Sequence, residues 1–153
     1  MIRVSEKPFE PGAELSAFEN QTADEGAIVS FLGKVRPKGA GGDLIALKLE
    51  HYSGVTERSI ADIVAKAEER WSISNSLIIH RVGAIDPGEP IVLVCVAAKH
   101  RRDAFKAADF LMDYLKTEAY FWKKEITSAG EEWIEPRKGD YDDVKRWQTS
   151  KLS

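Results

Sequence analysis

The spacing of apolar residues divides the chain into alternating strand-like and helix-like segments. MIRVSEKPF (1–9) alternates well enough for a short strand, and Glu14 to Gln21 follow a Pro-Gly stop with helical character. Ala27 to Val35 (AIVSFLGKV) are β-branched and apolar, which predicts a strand. A flexible Gly-rich loop, RPKGAGGD (36–43), separates it from LIALKLEHY (44–52). In that second strand Ile45, Leu47 and Leu49 are expected on one face, with Lys48 and Glu50 on the other. Val55 to Trp71 repeat apolar positions at helical spacing through Ile60, Ile63, Val64 and Ala67. Leu77 to Ile85 and Ile91 to Ala98 read as two strands around the turn DPGEP. Arg101 to Ala119 form the longest amphipathic helix, and FWKKEIT with EEWIEP make a hairpin around Ser-Ala-Gly. The tail 141–153 is polar with one Trp and is expected to be loosely held. This order predicts one α+β domain over 1–153 with a largely antiparallel sheet.

Composition narrows the function. The chain has 153 residues, enough for one domain with a core, and 43% hydrophobic and 31% charged residues, as in ordinary soluble proteins. A net charge of −3 argues against general nucleic-acid binding. No run is long and apolar enough to span a membrane, and MIRVSEKPFEPG lacks a signal-peptide core. A single cysteine excludes an internal disulfide and suits a cytoplasmic protein. Cys95 lies mid-strand as a small core residue, His51 and His80 are isolated, and no His/Cys spacing resembles a metal site.

The unusual chemistry is cationic. The apolar run Ile91–Ala98 drives into Lys99, His100, Arg101 and Arg102 at a helix N-terminus, where the dipole repels cations. At about 100° per residue, Ala104, Phe105, Ala108, Leu111, Met112, Leu115 and Ala119 share one face. Arg101 falls near its middle and Lys116 at its edge, whereas Arg102 and Lys106 fall outside it. Arg101 could pair with a buried carboxylate and Lys116 could snorkel to water; otherwise both are used by a ligand. Period-2 alternation then puts Phe121, Lys123 and Glu125 on one strand face, so Lys116 and Lys123 flank a helix-to-strand junction and could converge. Two converging lysines depress each other's pKa, and a neutral amine can act as base or nucleophile. Glu125 would oppose that depression or orient the ammonium, or the group is a surface ion pair of little consequence.

These segments, taken together, resemble a known family. FLGKVRPKG, LKLEHYSGVTE, IIHRVGAIDPGEPIVLVCVAAKHRRDAF, MDYLKTEAYFWKKE and EEWIEPR follow in the order and spacing of the large, catalytic subunit of molybdopterin synthase. The resemblance implies an α/β-hammerhead fold with an additional small β-subdomain, and a homodimer within a heterotetramer. Each large subunit would bind a small ubiquitin-like sulfur carrier whose C-terminal Gly-Gly ends in a thiocarboxylate. The implied reaction, part of molybdenum cofactor biosynthesis, is sulfur transfer to cyclic pyranopterin monophosphate, forming the dithiolene of molybdopterin, with no cofactor or metal. By position, Lys116 and Lys123 match the lysines at the thiocarboxylate, and Arg36, His100, Arg101 and Arg137 match the group around the pterin phosphate. Glu125 matches an acidic residue beside the second lysine, and Phe31 and Met112 match pocket-lining positions. Tyr120 stands where the family commonly has Pro, which implies a helix that runs further and shifts Lys123. Two rival functions are a non-catalytic module holding a carrier's Gly-Gly tail and a Schiff-base enzyme acting on a phosphorylated ligand.

Overall fold

The computed structural model describes residues 1–148. Two sheets and four helices build an α+β fold. In the first sheet the strand order is β1 (Ile2–Ser5), β5 (Ile73–Arg81), β7 (Pro90–Ala98), β2 (Ala27–Lys34). β1 runs parallel to β5 and the other pairs are antiparallel. The central strands β5 and β7 are apolar on both faces because both faces are covered. Ile78, Val92, Val94 and Val96 face the main core under α2 (Val55–Arg70) and α3 (Arg101–Thr117). Leu77, Ile79, Leu93, Cys95 and Ala97 face a second cluster with Phe9 and with Phe18 of α1 (Pro11–Gln21). Burial pushes the Cys95 thiol up to about 11, so it is an inert core residue.

The second sheet runs β3 (Lys38–Gly39), β4 (Gly42–His51), β8 (Phe121–Thr127), β9 (Gly130–Ile134), with β6 (Gly83–Ile85) beside β4. The strand expected over 77–85 is therefore two strands in different sheets. The break falls at Gly83, whose φ of 79° only glycine adopts without strain.

Several expectations need correction. Pro11 starts the first helix instead of stopping the chain, because proline suits a helix's first turn. The loop 36–43 is not an open coil: Lys38 pairs with Asp43 and Gly39 with Gly42 in a short hairpin. A register shift between Leu44 and Ala46 turns Leu44 into the core and leaves Ile45 58% exposed, so Ile45 does not share a face with Leu49. In α3 the buried set is Ala104, Ala107, Ala108, Phe110, Leu111, Tyr114 and Leu115, while Phe105 is 61% exposed. The helix sits in a corner between sheet, α2 and a fourth helix, so its buried face is wider and rotated from the expected one. That fourth helix, α4 (Lys138–Gln148), takes up most of the stretch expected to be loose. Its Trp147 meets Trp71 and Phe110 edge-on and donates from Nε1 to Asp113 Oδ2 at 2.6 Å. Residues 149–153 lie outside the described residues.

Candidate active site: a lysine-lined cavity at the α3–β8 junction

α3 ends at Thr117 without a proline: the Glu118 N–H donates to Tyr114 O and the Phe121 N–H turns back to Ala119 O, both at 2.8 Å. Tyr120 therefore does not prolong the helix. Its carbonyl is held by the fully buried Thr56 at the start of α2, whose Oγ donates to Tyr120 O at 2.8 Å and accepts from the Tyr52 N–H at 3.0 Å. One hydroxyl thus ties β4, α2 and the junction together. Lys123 follows three residues later.

Beside this junction lies a cavity of about 450 Å³, walled by β2, the last turns of α3, β8, and the segment from β9 into α4. Lys116 enters from α3 and Lys123 and Glu125 from β8. Lys34 ends β2 and Arg36 follows it in the connection to β3, Arg137 comes from the β9–α4 connection, and Phe31 and Met112 supply apolar wall. The convergence of Lys116 and Lys123 expected from helix and strand periodicity is seen here, and Glu125, Arg36, Arg137, Phe31 and Met112, matched by resemblance, line the same cavity. His100 and Arg101 are the exceptions. They sit, exposed, at the opposite end of α3 and do not line this cavity. Fifteen positions of helix separate Arg101 from Lys116, about 22 Å.

Lys123 is half-buried, and its pKa is lowered from the ordinary lysine value of 10.5. Burial is the largest cause, followed by the charge of Lys116; Asp140 pulls the other way, and Arg36 adds to the depression. Lys116 therefore acts on Lys123 as expected. The opposing carboxylate is Asp140, a residue that sequence reasoning missed because α4 was not foreseen. Glu125 does something else: its Oε1 accepts the Ala40 N–H at 2.9 Å, pinning the Gly-rich hairpin. A Cβ at Gly39 would lie 2.6 Å from that same oxygen, so a larger residue there would push the Glu125 carboxylate aside. Asp140 Oδ2 accepts the Arg137 N–H at 2.9 Å and so fixes the start of α4.

His80 of β5 was also missed. It is 7% exposed, lines the cavity, and stacks on Phe121 with ring centres 4.0 Å apart. Burial lowers its pKa to about 4, against the pull of its bond to the Arg81 carbonyl and with help from the Lys123 charge. Among the described residues no cluster of three or more His, Cys, Asp or Glu is placed to hold a metal ion. No helix there is long and apolar enough to cross a membrane.

The arrangement is that of an α+β protein that gathers five cations around a cavity, Lys34 among them, with a depressed lysine in its wall. Comparison with known proteins makes this specific. Residues 4–118 match the family model described as MoaE protein. The molybdopterin synthase catalytic subunit of Cereibacter sphaeroides is 48% identical over 146 residues, 95% of this chain and 99% of that one. A molybdopterin biosynthesis MoaE protein from Burkholderia ambifaria superposes with a TM-score of 0.82 at 42% identity, covering 98% of this chain and 99% of the other. The crystal structure of molybdopterin synthase from Staphylococcus aureus gives 0.78 at 28% identity, over 86% and 95% of the two chains. This chain belongs to the MoaE protein family.

Proposed function

We propose that this protein is the catalytic subunit of a molybdopterin synthase. It moves sulfur from the C-terminal thiocarboxylate of a small ubiquitin-like carrier to cyclic pyranopterin monophosphate, forming the dithiolene of molybdopterin. The observation that carries this reading is the depressed, half-buried Lys123 beside Lys116 in a cavity large enough for a ligand. The names of the full-length relatives support it.

Both substrates are anionic, and the cavity wall is cationic. Lys116 and Lys123 hold the thiocarboxylate. Its sulfur attacks a pterin side-chain carbon and displaces an oxygen substituent there, leaving carrier and pterin joined as an acyl-thioester. Water then adds to the acyl carbon; the C–S bond breaks, the sulfur stays on the pterin, and the carrier leaves as a carboxylate; a second thiocarboxylated carrier repeats the sequence at the neighbouring carbon to complete the dithiolene. A lysine donates a proton to the departing oxygen and its ammonium stabilises the oxyanion of the hydrolytic step. The lowered pKa of Lys123, caused by burial and the neighbouring Lys116 charge, makes its ammonium a better proton donor than an ordinary lysine.

The phosphate of the pterin needs a separate anchor. His100 and Arg101 suit it, since an arginine at a helix N-terminus becomes favourable once an anion lies between them. Because α3 holds them about 22 Å from Lys116, they serve the site of a second copy of the chain. Each active site is then shared across a homodimer, with a carrier at each end of a heterotetramer. Arg36 and Arg137, already in the cavity, complete the anion-binding group.

The test is turnover with purified carrier thiocarboxylate and cyclic pyranopterin monophosphate, read as dithiolene product by mass spectrometry. Lys116→Ala is expected to lose about 100-fold or more, and Arg102→Ala, outside the cavity, to stay within about twofold. Equal losses would refute the assignment of the lysines. Tight carrier binding without product would favour a binding module.

A further inference from the structure

The cavity's charged groups are an unbalanced set. Lys34, Arg36, Lys116, Lys123 and Arg137 offer only hydrogen-bond donors when charged. Of its carboxylates, Glu125 is tied to the Ala40 N–H, Asp140 to the Arg137 N–H, and Glu135 is exposed. A pterin ring, however, carries its own N–H and amino donors, which need acceptors once out of water.

His80 is built to be one. Its Nδ1 lies 2.8 Å from the Arg81 carbonyl oxygen, which can only accept, so the proton sits on Nδ1. That leaves Nε2 as a bare acceptor. Stacking on Phe121 fixes the ring plane, and β5 fixes its depth. Nε2 makes no hydrogen bond to any described residue, yet it is not among the buried unpartnered atoms, so it opens to the cavity. A pKa of about 4 leaves the imidazole neutral at physiological pH and a poor proton carrier there, so acceptance is the role that fits.

We propose that His80 reads the pterin directly, its Nε2 accepting a hydrogen bond from an N–H donor of the bound ring. This rests on the sulfur-transfer reading and adds a substrate-binding residue to it. The experiment measures two affinities, for cyclic pyranopterin monophosphate and for the carrier, in the wild type, His80→Phe and His80→Gln. Phe preserves the stack and removes the acceptor; Gln places an amide oxygen near the position of Nε2. The expected result is a pterin Kd raised about tenfold in His80→Phe, largely restored in His80→Gln, with carrier affinity unchanged. A pterin Kd within about twofold of the wild type in His80→Phe overturns the proposal, as does a parallel loss of carrier affinity. Should His80→Phe not fold, His80→Leu decides by the same criteria. Wild-type protein that binds no pterin overturns the sulfur-transfer reading itself, a result distinct from a silent His80 substitution.

Discussion

Thr56→Val removes one hydroxyl and keeps the side chain's shape. Thr56 is fully buried, and its Oγ makes two bonds, to Tyr120 O at 2.8 Å and from Tyr52 N at 3.0 Å. Each such bond contributes about 1 kcal/mol net, and a buried partner left unsatisfied costs about 1–3 kcal/mol. Tyr52 and Tyr120 lie in exposed turns, where water replaces part of what is lost. The sum is about 2 kcal/mol. For a chain of this length each kcal/mol moves Tm by about 2–4 °C, so thermal unfolding should shift down by about 4–8 °C. The functional consequence is larger than the thermal one. The freed Tyr120 carbonyl loosens the start of β8 against α2, leaving the longer bond from the Tyr120 N–H to Ser59 Oγ at 3.4 Å, and Lys123 moves with it. Turnover at a temperature where the variant is fully folded should drop by about tenfold, since positioning errors near 1 Å are expensive. A Tm change below about 1 °C would refute the energetic reasoning. A normal Tm loss with full turnover would refute the claim that this hydroxyl positions Lys123.

Trp147→Ala should cost about 3–5 kcal/mol, from its edge-on packing on Trp71 and Phe110 and its bond to Asp113; an unchanged thermal melt would mean that α4 is not docked. Asp140→Asn removes the carboxylate that raises the Lys123 pKa, so the Lys123 titration followed by NMR should move further below 10.5; an upward move would contradict the assignment. Lys123 itself makes stability rise with pH as pH climbs from its folded pKa towards 10.5, because the unfolded chain binds more protons there; Lys123→Met should flatten that limb in denaturant titrations. His80 has a folded pKa of about 4 against 6.5, so stability should fall as pH drops between these values, by about 3 kcal/mol in all. His80→Gln should remove that acid limb, and an unaltered limb would contradict burial of a neutral imidazole.

Local periodicity foretold the lysine pair well. Lys116 sits at the edge of a helix face and Lys123 two residues into a strand, so a short junction leaves them little choice but to converge. Arg36 and Arg137 were legible only through resemblance to known segments, since neither lies on a periodic element. What periodicity could not show was tertiary. Phe105 and Phe110 are both apolar at helical spacing, and only the corner formed by α2, α4 and the sheet selects Phe110. The register shift near Ala46 exchanges Leu44 for Ile45 at the core without any mark in the sequence. α4 was missed because DYDDVKRWQ is polar almost throughout; Val144 and Trp147 are its only buried side chains. Asp140 was lost with it. His80 looked isolated because its partners, Phe121 and Lys123, come from a strand forty residues away in the other sheet.

The most direct test of a shared active site uses two defective chains. Lys116→Ala and Arg101→Ala proteins are mixed, dissociated and reassembled, and turnover is compared with each variant alone. Random pairing gives mixed dimers in which one site carries both defects and the other neither. The account predicts recovery to about a quarter of wild-type turnover from two nearly inactive parents. A mixture no more active than its parents would contradict it, placing every catalytic group within a single chain.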